Sequence, residues 1–380
     1  MKHLRFAAIL MALLLVFACI PVMAEGDTIK IGICCSQTGS TALNGQYAEQ
    51  GAQLAVDEIN ARGGVLGKQL ELVVEDDGGV ADTAINAMNK LQSQDLVAVV
   101  GPTLSGLAMA MEKYVQEGGI PVLIGATSPK LVNQISNDYF FRVRCPDNIM
   151  ATVAVKYLVE NKGCKKIGIF HASTDYGTGA EEYIIKYCEA NGIPYVSEGH
   201  NEGDTDLTAQ ILKMQQGGVD GIVLWAHDNE CALAARQFYE QGLSVPVVSS
   251  TTISTPQVYG LCENEWIEGW NFVSDFISTN TNEVVATFTK NYTERYDGTL
   301  PELYAATHYN GVMLLADCIE RAGTTDSDAL CEALMTTEYE GLFGKFTANS
   351  HRELVNSAIV GVMKDGAPEY GDTVTVDWDY

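Results

Sequence analysis

Basic residues are scarce in this chain. Lys and Arg total 23 against 49 Asp and Glu, so the formal charge is −26 over 380 residues. Nucleic-acid binding draws on clustered Lys and Arg to neutralise phosphate, and no such cluster occurs. An acidic surface instead keeps a protein soluble and unattached. Proline is sparse at 10 residues, and no low-complexity run is present, which argues against disorder. Beyond the N-terminus no segment is long and apolar enough to span a bilayer. The chain also lacks a Gly-x-Gly-x-x-Gly after its first apolar strand, a Walker A loop, a His-Glu-x-x-His pair and a Gly-x-Ser-x-Gly elbow. Cysteine spacings of the zinc-ribbon, Cys-x-x-Cys or haem type are absent too. No enzymatic activity, cofactor or metal is therefore expected.

What the chain does have begins with Lys2 and Arg5, followed by an almost wholly apolar run over residues 6–20. Val22-Met23-Ala24 then offers a cleavage point, which makes 1–24 read as a secretory signal peptide. The run is about 15 residues, short of the roughly 20 that cross a bilayer. Two alternatives stay open. One is an uncleaved anchor; the other is lipidation at Cys19, where Val16-Phe17-Ala18-Cys19 loosely resembles a lipobox. The protein is expected to be exported, periplasmic or cell-surface, cleaved after Ala24 or lipid-anchored at Cys19. Of ten cysteines, nine lie beyond the leader, and an odd number cannot all pair. Cys34 and Cys35 end an apolar strand and read as buried. Cys164 with Cys188, or Cys318 with Cys331, could form disulfides in an exported protein. Packing as small hydrophobes is the favoured reading.

With 47% hydrophobic residues over this length, two domains of ordinary size are expected. Short apolar strands alternate with helical patterns. Strands are read at 29–34, 70–74, 97–100 and 121–124. Helices are read near 52–59, 80–92 and 106–117. The pattern restarts with a helix near 151–158. Strands follow at 166–170, 193–197, 221–225 and 245–249, separated by helices at 177–191, 206–216 and 229–241. Such alternation implies parallel sheets wound by right-handed crossovers, here two doubly wound lobes. The last hundred residues, with helices at 284–296, 305–322 and 329–335 and a strand at 358–363, are too few for a third core. They must complete the first two lobes, so the chain crosses between lobes more than once and forms a hinge.

Ligands of open parallel sheets sit outside the carboxyl ends of strands. The loops there are 36–45, 101–106 and 125–129 in the first array, and 175–177, 225–228 and 249–252 in the second. The first set is rich in hydroxyls and glycine, which suits a small anion at a helix start. The second adds aromatic rings. Together they point to a cleft for a small zwitterion or polar organic molecule. Asp76-Asp77 is read as a solvated turn rather than an acid–base pair, because neighbours in a strand face opposite ways. His227-Asp228, with no nucleophile assigned to it, is read as cleft lining or loop surface.

Several stretches carry a resemblance: Ile59-Asn60-x-x-Gly63-Gly64-Val65-Leu66-Gly67-Lys68 with Glu71-Leu72-Val73-Val74-Glu75-Asp76-Asp77; Gly101-Pro102-x-x-Ser105-Gly106; Ile120-Pro121-Val122; Ala126-Thr127-Ser128-Pro129; Asp175-Tyr176-Gly177; and Gly203-Asp204-Thr205-Asp206. The chain resembles the leucine/isoleucine/valine-binding protein family of ABC-importer solute receptors. The likeness is strongest over 29–129 and thinner after 255. It implies an α/β fold of the type I periplasmic binding class: two doubly wound parallel-sheet lobes, a multi-segment hinge and closure on ligand. Lobe 1 is expected at 27–145 with 276–345, and lobe 2 at 146–275 with 346–380.

The resemblance also implies site residues. Ser105, with Leu104 beside it, would hold a ligand carboxylate. Ala126 and Thr127 would hold the α-amino end and carboxylate, and Tyr176 would pack on the ligand. Two positions depart from the pattern. Thr251 stands where the family carries a glutamate for the ligand ammonium, and Asn44 stands where a tyrosine is expected. A buried ammonium without a counter-charge costs several kcal/mol. Either Asp228 or Asp175 supplies the charge, or Trp225 cradles the cation, or the ligand has no ammonium. The function implied is capture of a small, branched-chain-like amino acid by a monomer that serves an ABC permease. The rivals are a receptor for an amide or small carboxylate, a ligand-sensing input for membrane signalling, and a Rossmann-like enzyme that the absent glycine motif opposes.

Overall fold

The structure, a computed structural model, describes residues 28–131 and 137–375. The leader at 1–24, with its Ala24 and Cys19 alternatives, lies outside the described residues, as does 376–380 of the expected second lobe.

Two lobes are present, each built on its own sheet. The first sheet has five parallel strands in the order β2-β1-β3-β4-β5: Thr28–Cys35 (β1), Gln69–Asp76 (β2), Ala98–Val100 (β3), Val122–Ile124 (β4) and Phe140–Arg142 (β5). The second has Ile167–Ala172 (β6), Tyr195–His200 (β7), Gly221–Trp225 (β8), Val247–Ser249 (β9) and Asn271–Ser274 (β10), all parallel. A hairpin of Glu338–Gly341 (β11) and Gly344–Thr347 (β12) stands apart. Ser357–Lys364 (β13) and Ala367–Thr375 (β14) then extend the second sheet antiparallel, giving β14-β13-β10-β9-β8-β6-β7.

The strands read as unbroken apolar runs because both sheet faces are covered. In β1, Ile31 and Ile33 face one hydrophobic core while Cys34 faces another. The helix Ala42–Ala61 forms because Ala48, Ala52, Ala55, Val56 and Ile59 recur on one side, and that side is buried. It packs along the helix Leu303–Ala322, supplied from the far end of the chain.

The chain passes between the sheets three times: after β5, after β10 and after β12. These crossings are tied to one another. Arg144 makes a two-pronged bond to Asp275, Nε to Oδ2 at 3.0 Å and Nη2 to Oδ1 at 2.8 Å, and the Cys145 N–H donates to Oδ2 at 3.0 Å. Arg142 and Glu353, from the first and third crossings, form a parallel bridge, and their buried side chains pair at 3.5 Å. Isolated buried charges are costly; paired and hydrogen-bonded ones hold a defined geometry.

Three expectations are corrected. β5, β10, the β11–β12 hairpin and β14 were not read from the sequence. Helices begin earlier than expected, so Asn44 and Asp175-Tyr176 lie in first helical turns rather than loops. The favoured reading of the cysteines holds: all nine in the described residues are free thiols, seven buried in the cores and Cys262 and Cys331 packed against them; Cys164 donates to the Asp220 carbonyl at 3.3 Å, and Cys318 accepts from Arg321 at 3.2 Å. Asp76 and Asp77 do not form a solvated turn. Asp76 accepts from the backbone N–H groups of Gln37 and Gly78, both at 2.8 Å, and from the Thr38 hydroxyl at 2.6 Å. Asp77 is buried and accepts from the Ser36 hydroxyl at 2.6 Å. The pair shapes the first loop, and the bonds to Asp76 hold its carboxyl below the ordinary range.

Candidate ligand cleft

Between the lobes lies a cavity of about 680 Å³. One wall comes from lobe 1: Ser40, Thr41 and Asn44 ahead of and within the first turn of Ala42–Ala61, and Leu104 to Leu107 at the start of the helix Ser105–Gly118. The opposite wall comes from lobe 2: Thr174 to Tyr176 at the end of β6, and His227 to Glu230 at the end of β8. Tyr304 closes one side. This is the carboxyl-end position expected for a parallel α/β sheet.

The helix Ser105–Gly118 starts from an extended Leu104 with no side-chain cap. Its first N–H groups are free of intrahelical partners, and its dipole favours negative charge there. Ser105 is buried, and its hydroxyl accepts from the Ser128 N–H at 3.2 Å. Tyr176 is positioned by the glycine that follows it. A Cβ on Gly177 would lie 2.0 Å from the Ala172 carbonyl, so only glycine lets this helix start against β6. The Tyr176 hydroxyl lies with those of Ser250 and Thr252, and burial raises its pKa.

Of the expected residues, Asn44, Leu104, Ser105 and Tyr176 line the cavity. Ala126, Thr127, Trp225 and Thr251 are buried and do not line it. The Thr127 hydroxyl donates to Asp147 Oδ2 at 2.9 Å. The Ala126 carbonyl accepts from Arg142 Nη1 at 2.5 Å, and that of Ser128 accepts from Nη2 at 2.8 Å. Trp225 backs Tyr176, their ring centroids 6.1 Å apart. The Thr251 hydroxyl pairs with that of Ser274 at 2.7 Å.

The lobes touch across the cleft. Asn44 Nδ2 donates to Asp228 Oδ2 at 3.1 Å, and Gln257 donates to Asn44 Oδ1 at 2.8 Å. The Ser128 hydroxyl donates to the Asp175 carbonyl at 2.9 Å, and Lys130 donates to the Thr178 hydroxyl at 2.9 Å. Buried titratable groups surround this seam. Burial pushes the Asp147 carboxyl up to about 7, against the Thr127 bond and the Arg142 and Arg144 charges. Burial pushes Glu302 up to about 8, although it accepts from the Tyr304 and Ala305 N–H groups at 2.8 and 2.9 Å. Sequence reasoning missed Asp147, Arg142, Arg144 and Glu302. One signal was present: two arginines in the apolar stretch Phe140-Phe141-Arg142-Val143-Arg144 require buried partners.

The model of the family described as periplasmic binding protein matches residues 28–367. A leucine-, isoleucine-, valine-, threonine- and alanine-binding protein of Pseudomonas aeruginosa is 28% identical over 87% of this chain and 88% of its own. A Leu/Ile/Val-binding protein homolog of Brucella abortus is 30% identical over 82% of this chain and 85% of its own. The branched-chain amino acid transporter substrate-binding protein LivJ of Streptococcus pneumoniae, solved with isoleucine, superposes with a TM-score of 0.84. It is 28% identical and covers 92% of this chain and 100% of its own.

The chain belongs to the periplasmic binding protein family. Its place is among the leucine/isoleucine/valine-binding members of type I fold. These similar proteins are named as amino-acid-binding proteins or, for LivJ, a transporter substrate-binding protein. The cleft is lined by both halves of the molecule at once, a common setting for small-molecule sites. Thr251 lies off the cavity wall, and acidic side chains stand on it at Asp175, Glu202, Asp228 and Glu230. Among the described residues no helix is long and apolar enough to cross a membrane, and no cluster of potential metal ligands occurs.

Proposed function

We propose that this protein captures a small amino-acid-like solute in the interlobe cleft and presents it to the permease of an ABC importer. One observation carries the reading. The cavity puts an uncapped helix start bearing Ser105 on one lobe opposite aromatic and acidic side chains on the other. A solute carboxylate meets Ser105 and the adjacent N–H groups, while Tyr176 covers its body. Thr127, held by Asp147, and Ala126, held by Arg142, fix the neighbouring turn. Trp225 stiffens Tyr176 from behind. Lobe 1 (27–145 with 276–345) and lobe 2 (146–275 with 346–380) close as units about the three crossings. A ligand that contacts both lobes shifts the population toward the closed form, and closure forms the surface the permease reads. Export by the signal peptide and action as a monomer belong to the same reading.

Ser105→Ala tests it. A hydrogen bond to a charged group is worth about 1.5–3 kcal/mol, so affinity for the bound amino acid should fall about 10- to 100-fold in calorimetric titration. Unchanged affinity removes Ser105 from the carboxylate seat. The second reading, a solute without an ammonium, is favoured by the hydroxyl of Thr251 at the aligned place of the glutamate.

A further inference from the structure

We propose that Asp228 is the seat of the ligand's ammonium and so fixes the ligand class: an α-amino acid that is neutral or cationic overall. The inference rests on the receptor reading above and decides between its two versions.

Asp228 opens the helix Asp228–Glu240 at the end of β8 and lies on the cavity wall contributed by lobe 2. Ser105 lies on the wall contributed by lobe 1. A molecule with a carboxylate at one end and an ammonium beside it can therefore touch both and tie the lobes together. The Asp228 side chain receives one hydrogen bond among the described residues, from the neutral amide of Asn44 across the cleft at 3.1 Å. Its other oxygen, Oδ1, is open to a further donor.

Among the described residues no Lys or Arg lines the cavity. The nearby cations are committed elsewhere: Arg144 to Asp275, and Lys130 to Thr178 and Asp175. His227 is engaged with the Thr174 hydroxyl at 3.1 Å. The half-buried carboxylate thus lacks a counter-charge from the protein, and burial raises its pKa. A charge enclosed without a partner is costly, so lobe closure favours a ligand that brings a cation to this point. Asn44, where the family pattern expects a tyrosine, belongs to the same device: it holds the carboxylate in place from the facing lobe. Thr251 needs no charge because Asp228 carries it. Asp175, Glu202 and Glu230 on the same wall make a second ligand carboxylate unfavourable.

The test is calorimetric titration of the wild type and Asp228→Asn with amino acids and their deaminated counterparts. The matched pairs are leucine with 4-methylpentanoate and valine with 3-methylbutanoate; glutamate and lysine extend the series. The wild type should prefer an amino acid over its deaminated partner by 100-fold or more and should reject glutamate. Asp228→Asn should weaken the amino acid at least 30-fold, leave the deaminated acid unchanged or tighter, and bring the ratio below about ten. Asp228→Ser, which preserves a helix-starting side chain, should behave alike and guards against a folding defect in one variant. An unchanged ratio in variants that melt like the wild type overturns the assignment of Asp228. A wild type that prefers the deaminated acids also overturns it, yet leaves a solute receptor in place. Binding of no member of either series contradicts the receptor reading itself and Asp228 with it.

Discussion

Glu302, Asp147 and His308 are residues whose surroundings, not identities, set their behaviour. Glu302 and Asp147 are buried carboxyls pushed up to about 8 and about 7, from ordinary values of 4.5 and 3.8. Burial lowers His308 to about 4 from 6.5, and lowers His200 as well. The folded carboxyls keep protons that the unfolded chain has released, so their contribution to stability is full at low pH and is lost as pH rises through about 7 and 8. The histidines act oppositely, but they are mostly neutral in both states above about pH 7. Between about pH 7 and 8 the carboxyls dominate, because unfolded imidazoles are mostly neutral there and unfolded thiols, whose folded counterparts burial raises, ionise mainly above it. The melting temperature of the ligand-free protein should fall across that interval, and Glu302→Gln should flatten the fall. A flat wild-type profile would show that these carboxyls are already ionised at neutral pH. None of this was legible in the sequence. Ser105 and Tyr176 could be placed because each sits at a strand-to-helix turn with a glycine beside it. Arg144 and Asp275 are far apart in the chain, and only the fold makes them partners.

At the scale of the element, the alternation of short apolar strands and helices was legible because both faces of each sheet are buried. The missed strands share a different composition. β5 ends in Arg142, β10 carries Asn271 and Ser274, and β14 is an antiparallel strand of mixed polarity at the sheet's edge. β10 takes β13 as a partner from beyond the third crossing, while β5 and β14 are edge strands of their sheets, so local pattern carries little of them. The packing of Ala42–Ala61 on Leu303–Ala322 depends on close approach at Gly51, where a Cβ would lie 2.0 Å from the Ala305 carbonyl. The obstruction is backbone and cannot rotate away. Gly51→Ala should therefore destabilise the protein by about 1–3 kcal/mol in denaturant titration, with little change in the slope of the transition. Stabilisation, the outcome expected for alanine in an open helix position, would show that the two helices are less tightly apposed.

The whole molecule is organised by three crossings that bring strand ends from two sheets to one cavity. That the chain would cross more than once could be inferred from the shortage of material for a third core. Which residues would face the cavity could be inferred only in part: Asn44, Leu104, Ser105 and Tyr176 do. Ala126, Thr127, Trp225 and Thr251 lie behind the wall, while His227 and Asp228, expected as cleft lining or loop surface, with Asp228 also a candidate counter-charge, stand on it. The central claim is that the cavity holds a small amino acid and that holding it stabilises the closed molecule. Thermal unfolding of the chain lacking residues 1–24, scanned against the twenty amino acids at millimolar concentration, tests it most directly. Ligand at 100 times its dissociation constant adds about 2.7 kcal/mol, so at least one neutral or basic amino acid should raise the melting temperature by several degrees. A melting temperature that no amino acid moves would contradict the account.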